Sequence, residues 1–405
     1  MQANRQKKTA KSAISIVIDR WHAGLIGPYG NAWISTPALD ALAADSVVFD
    51  RHFATSLKLA AIAESHWGPN GQMLESLAGL GVRTMLFTDS EEIAQLPATE
   101  NFKDRYLVTA PVNAQIADEP EETHLFRFFA EMVELAEQAS EQPYFLWCFF
   151  ESLGKLWDFP HAYRNRYHEE GDPEPYAGLA VPYLDTTSSP DFSIHPDDYQ
   201  AVLETYAGGV TLLDDALSGV LDYLAGGELG SETLLALTAA RGFSLGEHGI
   251  LGIPPAETLD PEPLWEETTH LPLLIRFPDK SAQTVRCSAL TEPADLRHAM
   301  EQWFGNPMPT SLLDLATETC DALREELVIE TDSASALVTP NWLLRCPRRD
   351  KNSTTIHSCE LYVKPDDRWE VNDVASRCAE IVQELLDQWR NGTKKLQDAF
   401  HHFDK

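Results

Sequence analysis

Over the first three quarters of the chain, short apolar runs alternate with longer segments of helical period. That pattern predicts a largely parallel sheet with helices on both faces. The run at 15–18 reads as a buried strand, and 36–44 as a helix opening on Thr-Pro, a favourable N-cap and first-turn pair. A helix over 72–80 stops at Gly81 and is followed by a strand over 83–88. Residues 124–138 are amphipathic, and 144–150 (YFLWCFF) are apolar on both faces, as a central strand must be. A long helical pattern over 197–224 leads into a strand at 233–238 (TLLALT), and 271–277 (LPLLIRF) is a further strand candidate. Two stretches, 169–196 and 252–263, are rich in Pro, Gly and Asp; loops of that length serve as lids, site walls or excursions. From about residue 320 the pattern changes to short strands (334–338, 342–346, 357–363) and a closing helix over 375–389, which reads as a small antiparallel α+β subdomain. The expected organisation is a disordered basic tail (1–12), an α/β domain (13–320), the α+β subdomain (321–390) and a polar tail (391–405).

Composition narrows the function classes. At 405 residues and 43% hydrophobic, the chain can bury a sizeable core. Its net charge of −32 argues against nucleic acid or an anionic membrane as the main partner, because both need basic surface. No apolar run approaches a membrane span, and the run after the basic N-terminus stops at Asp19, too short for a signal-peptide core. The six cysteines are scattered without a CxxC pair, so they read as reduced thiols of a cytoplasmic protein. His401 and His402 read as solvated tail residues rather than metal ligands.

In open α/β sheets, ligands sit beyond the carboxyl ends of the strands. Two such ends carry chemistry: Asp19-Arg20-Trp21-His22 after the first strand, and the segment from Ala239 through Arg241 to His248-Gly249 after TLLALT. IVIDRWHAGLIGPYGN, the STPALDALAADS helix, ARGFSLGEHG, THLPLLIRFP and LYVKPDDRWEVNDVA together resemble, in order, the landmarks of the sulfatase branch of the alkaline-phosphatase superfamily. The resemblance runs from about residue 14 to 375 and implies that family's fold: a large, mostly parallel sheet sandwiched by helices, with a small C-terminal antiparallel subdomain. It also implies hydrolysis of a sulfate ester by a formylglycine nucleophile, assisted by an oxygen-ligated divalent ion, usually Ca²⁺.

The matched positions depart from that chemistry. Leu59 stands at the nucleophile position, with Ala61 and Ala63 in place of the family's Pro and Arg. Of the matched metal positions, Asp19 is kept, but the others read Arg20, Ala240 and Arg241. One carboxylate cannot strip a dication of water, and each nearby guanidinium repels it by about 4 kcal/mol per unit charge pair at 4 Å and an effective dielectric of 20. The expectation is a sulfatase-fold protein without metal-dependent sulfatase chemistry and with no expected cofactor. In it, Arg241 or Arg20 pairs with Asp19. Arg20, His22, Lys58, His66, Arg241 and His248 are then candidates for a metal-free pocket binding sulfate, phosphate or a ligand carrying either. Two alternatives stand beside this. One is a working sulfuric- or phosphoric-ester hydrolase using Thr55 or Ser56, with Asp19, Asp89 and Glu247 holding Ca²⁺ or another divalent cation. The other is a role in binding a protein partner through the 169–196 loop, with Tyr176, Tyr183 and Phe192 as anchors.

Overall fold

The computed structural model describes residues 11–139, 141–185, 195–226, 232–253, 264–331, 334–347 and 359–403. Phe192, named above as an anchor, lies outside them, as do the side chains of His401 and His402. The main sheet has eight strands: β1 (Ser12–Asp19), β2 (Val47–Phe49), β3 (Arg83–Thr88), β4 (Asp104–Leu107), β5 (Tyr144–Phe150), β6 (Thr233–Arg241), β7 (Leu273–Arg276) and β8 (Val285–Cys287). Their order across the sheet is β8-β2-β7-β6-β1-β5-β3-β4, and only β7 runs against its neighbours.

Alternation along the central strands explains how the sheet is covered, since successive side chains point to opposite faces. On β1, Ile14, Ile16 and Ile18 enter one hydrophobic cluster, while Ala13 and Val17 enter the other. Strand β5 divides in the same way: Tyr144, Leu146, Cys148 and Phe150 on one side, Phe145, Trp147 and Phe149 on the other. The first face is covered by α1 (Pro37–Ala44), α4 (His124–Ala139) and α5 (Pro196–Gly226). The second is covered by α2 (Leu59–Trp67), α3 (Gln72–Gly79) and α6 (Pro293–Trp303).

Four antiparallel strands follow: β9 (Leu327–Glu330), β10 (Ala334–Val338), β11 (Trp342–Pro347) and β12 (Glu360–Val363), in that spatial order. One face contributes Ile329, Ala336, Val338, Leu343 and Tyr362 to the main cluster. The other packs Leu337, Leu344 and Leu361 on Val382 and Leu385 of the closing helix α7 (Ala379–Phe403). That helix starts later than the pattern suggests and continues past Trp389.

Three local expectations are corrected. The 271–277 run is not one strand: His270–Leu271 pairs with His52–Phe53, and the main-sheet strand begins only at Leu273. Pro272, which has no N–H to give to a ladder, stands between them. Thr36 does not cap α1 with its side chain; its hydroxyl accepts from the Gly27 N–H at 2.9 Å. The Ala38 and Leu39 N–H groups donate instead to the Asp214 carboxylate of α5, at 3.0 and 2.8 Å. Finally, the cysteines are not all reduced: Cys346 and Cys359 form a disulfide, leaving Cys148, Cys287, Cys320 and Cys378 free among the described residues. The register of β11 on β12 places Arg345 opposite Glu360, so the next pair outward is Cys346 and Cys359, with Cα atoms 4.3 Å apart. That separation lies at the short end of what a disulfide spans. A cytoplasmic location therefore no longer follows from the cysteines. No described helix is long and apolar enough to cross a membrane.

Candidate functional site

Strands β1 and β6 lie side by side and end at the same edge of the sheet. A bulge after Ile18 shifts the register so that Asp19 stands opposite Arg241. Bulges of this kind re-aim side chains at strand ends. Asp19 is 2% exposed, and its carboxylate is gripped by a guanidinium fork. Arg241 Nε donates to Oδ1 at 2.9 Å and Nη2 to Oδ2 at 2.6 Å, while Nη1 donates to the Leu57 carbonyl at 3.1 Å. One side chain thus ties the end of the first strand to the turn that leads into α2. Burial alone would raise the Asp19 pKa. The Arg241 charge and hydrogen bonds, with a smaller effect from Arg20, more than reverse this and hold it below the usual carboxylate value.

Arg20 is buried rather than pointing to solvent, and its Nε lies 4.0 Å from Asp19 Oδ2. Its backbone has φ +59°, a left-handed conformation that costs a non-glycine residue roughly 1 kcal/mol. Tyr206 of α5 supports that turn: its hydroxyl donates to the Arg20 carbonyl at 2.8 Å and accepts from the His22 N–H at 3.0 Å. Gly154, in the loop after β5, is required by close approach. A Cβ there would sit 2.6 Å from Arg20 Cγ.

The remaining positions matched to catalysis hold no donor or nucleophile. Leu59 opens α2 and is buried in the second cluster with Ile62 and Ala63. Ala240 points into the same cluster. A calcium-sized ion wants six or more oxygen ligands. Here both Asp19 oxygens already accept from Arg241, and Arg20 stands beside them. The residues present do not fit the family's divalent ion, and Leu59 cannot become a formylglycine.

The other candidates scatter. Thr55 and Ser56 are half-buried; the Thr55 carbonyl accepts from Glu330 N–H at 3.2 Å, and Ser56 Oγ accepts from Lys58 N–H at 3.2 Å. The second is a local turn contact, and the first ties this segment to the end of β9. Lys58 is exposed. His66 faces the core against Trp147, and burial together with the Arg297 charge pushes its imidazole down to about 3. The Asp89 side chain is wholly buried; it accepts from the Glu151 and Ser152 N–H groups at 2.6 and 3.1 Å and lies 3.1 Å from His124 Nε2. It fastens the end of β3 to the loop after β5. Asp19, Asp89 and Glu247 do not bring ligand atoms within 4.8 Å of one another. His248 stacks on Trp265 and lies 2.8 Å from a Glu267 oxygen. Burial pulls its pKa down, but the Glu267 hydrogen bond and charge outweigh this and raise it. His22 Nδ1 accepts from the Gly24 N–H at 2.8 Å, and its Nε2 is 3.5 Å from Glu247 Oε1. Tyr176 and Tyr183 are used within the fold: the Tyr176 hydroxyl donates to the Ala180 carbonyl at 2.9 Å, and Tyr183 pairs with Gly252.

Of the anion candidates, His22 opens onto a cavity of about 210 Å³ between the main sheet and the C-terminal subdomain. Sequence reasoning missed its other cations, Arg51, Arg286, Lys364 and Arg368, which converge only through the tertiary fold. Arg286 pairs with Asp50, and Lys364 lies 3.1 Å from Glu266 and 3.4 Å from Glu370. Arg51 donates to the Thr339 and Pro340 carbonyls, at 2.7 and 2.8 Å, and Arg368 lies 4.4 Å over the Trp369 ring. Among the described residues, neither of these two forms an ion pair with a carboxylate. The cavity therefore offers two guanidiniums outside any close ion pair, although Asp50, Glu266 and Glu267 also line it and the Glu266 charge acts on Arg51.

The family model described as Sulfatase matches residues 66–306, more than half of the chain. An N-acetylglucosamine-6-O-sulfatase of Bacteroides thetaiotaomicron is 29% identical over 115 residues, which is 28% of this chain and 19% of that protein. The match thus spans about a fifth of the relative's own length. Among solved structures, the phosphonate monoester hydrolase of Agrobacterium radiobacter superposes with a TM-score of 0.71 at 17% identity, covering 96% of each chain. A protein solved with its substrate D-glucosamine-2-N,6-O-disulfate gives 0.70 at 16% identity, covering 95% of this chain and 98% of that one. At such identities these likenesses establish the fold alone: a large, mostly parallel sheet between helices with a small antiparallel sheet appended.

Proposed function

Because the chain belongs to the sulfatase family, we propose that it is a member in which a guanidinium replaces the catalytic metal, and which binds rather than hydrolyses a small sulfated or phosphorylated ligand. The observation that carries this reading is the fork from Arg241 to both oxygens of Asp19, with its third donor on the Leu57 carbonyl. A dication entering there would have to displace a buried, doubly hydrogen-bonded cation and would then find one carboxylate and no nucleophile. Metal and nucleophile supply two of the largest parts of such catalysis, and both are lost together.

The ligand class follows from charge. Guanidiniums bind oxyanions through paired, charge-assisted hydrogen bonds. Arg51 and Arg368 supply such groups beside His22, with Trp369 as an apolar wall. A sulfated amino sugar, the substrate of one structural neighbour, is the natural first probe.

Two measurements test the proposal. Nitrophenyl sulfate and nitrophenyl phosphate, with Ca²⁺, Mg²⁺, Mn²⁺ or Zn²⁺ added, are expected to turn over no faster than in buffer. Turnover abolished by EDTA would overturn the loss of hydrolysis and direct attention to Thr55 or Ser56. Calorimetric titration with glucosamine 6-sulfate is expected to show binding, weakened at least about tenfold in Arg368→Ala, as loss of a hydrogen bond to a charged group implies. No heat in the wild type, or equal affinity in the variant, would overturn the assignment of the cavity.

A further inference from the structure

Away from the crevice, the chain after the short helix His161–Arg164 folds back against the first turns of α5. His168 and Asp172 come from this return, and Glu204 from α5. One ligand atom from each, an imidazole nitrogen and two carboxylate oxygens, lies within 4.8 Å of the others. His168 Nδ1 is 3.3 Å from Glu204 Oε2. Two ligands of one tetrahedral zinc ion, each about 2.0 Å from it, stand about 3.3 Å apart.

The donors are also oriented. Glu204 Oε1 accepts from Gln200 Nε2 at 2.6 Å, and Asp172 Oδ2 accepts from the Glu169 N–H at 2.9 Å. Such supporting hydrogen bonds characterise the surroundings of metal ligands. The Glu204 side chain is wholly buried although it shares the site with a second carboxylate. Two carboxylates in so small a space call for positive charge between them.

We propose that His168, Asp172 and Glu204 form a binding site for a single divalent transition-metal ion, of which zinc is the type. An imidazole with two carboxylates suits zinc or manganese; calcium and magnesium prefer oxygen ligands throughout. Three protein ligands leave a fourth position for water. The bound ion would staple the 165–172 return to α5, the helix whose Tyr206 holds Arg20 and His22 at the crevice.

The probe is zinc chloride added to the full chain after chelator stripping and dialysis, read by calorimetry and by the thermal unfolding midpoint. One equivalent is expected to bind and raise the midpoint. His168→Ala and the partly exposed Asp172→Asn, checked for native circular dichroism, are each expected to weaken that binding at least about tenfold. Cobalt(II) in place of zinc should give visible absorption in the wild type that both variants lose. Absence of binding to the wild type, or binding in both variants as strong as in the wild type, overturns the site. Neither result bears on Asp19 or on the cavity.

Discussion

Cutting Arg241 back to alanine would leave the Asp19 carboxylate, 2% exposed, with only Arg20 nearby at 4.0 Å. Breaking a buried ion pair from one side costs about 3–5 kcal/mol, and the slight exposure of Arg241 places this pair near the lower figure. Arg241→Ala is therefore expected to lose about 3 kcal/mol of unfolding free energy at neutral pH, measured by urea denaturation. Asp19 titrates below its ordinary value of 3.8, so the pair's contribution is complete above that pH and disappears as pH falls through the folded-state value. In the variant only Arg20 opposes the effect of burial on Asp19, so the gap should narrow as pH falls through the mildly acidic range and finish closing only below the depressed wild-type value. A gap that persists after Asp19 is protonated would mean that Arg241 acts mainly through its Leu57 contact. At this scale the sequence was informative where a residue ends a strand: Asp19 and Arg241 are readable as crevice neighbours because both follow apolar runs. His66 was misleading. Its place near the nucleophile segment suggests the crevice, but the turn of α2 sends it into the core against Trp147.

Whole elements were legible wherever burial fixed a period. Strand β5 is apolar at every position because both of its faces are covered, and α4 shows its stripe because only one is. The limits appeared where covalent or tertiary partners override pattern. Asp214 on α5, not Thr36, caps α1, and no local signal could announce an acceptor so far along the chain. The Cys346–Cys359 bridge is equally hidden, because cysteine spacing alone cannot reveal that the two end adjacent antiparallel strands. The bridge closes a loop with a sequence separation of 13, for which chain entropy predicts about 3 kcal/mol. The double variant Cys346→Ser/Cys359→Ser should lose stability of that order in urea unfolding, and wild type should match it once reduced. Equal stability of oxidised and reduced protein would show that β11 and β12 are held by their packing on α7 without help.

For the molecule as a whole, the cations of the cavity and the net charge of −32 act on a ligand at different distances. On the proposed function, Arg51 and Arg368 attract an oxyanion inside the cavity at contact range, where salt screens little. Outside, the acidic surface repels it over a Debye length, about 30 Å at 10 mM salt but only about 8 Å near physiological ionic strength. Association is therefore expected to be limited by the far field, unlike enzymes whose clefts steer substrates inward. Stopped-flow measurements with glucosamine 6-sulfate should give an association rate constant that rises as salt is added, while the dissociation rate changes less. N-acetylglucosamine, which is uncharged, provides the control for any effect of salt on the protein itself. An association rate that falls with salt would mean that the cationic wall reaches beyond the acidic surface, and that the cavity steers its ligand after all.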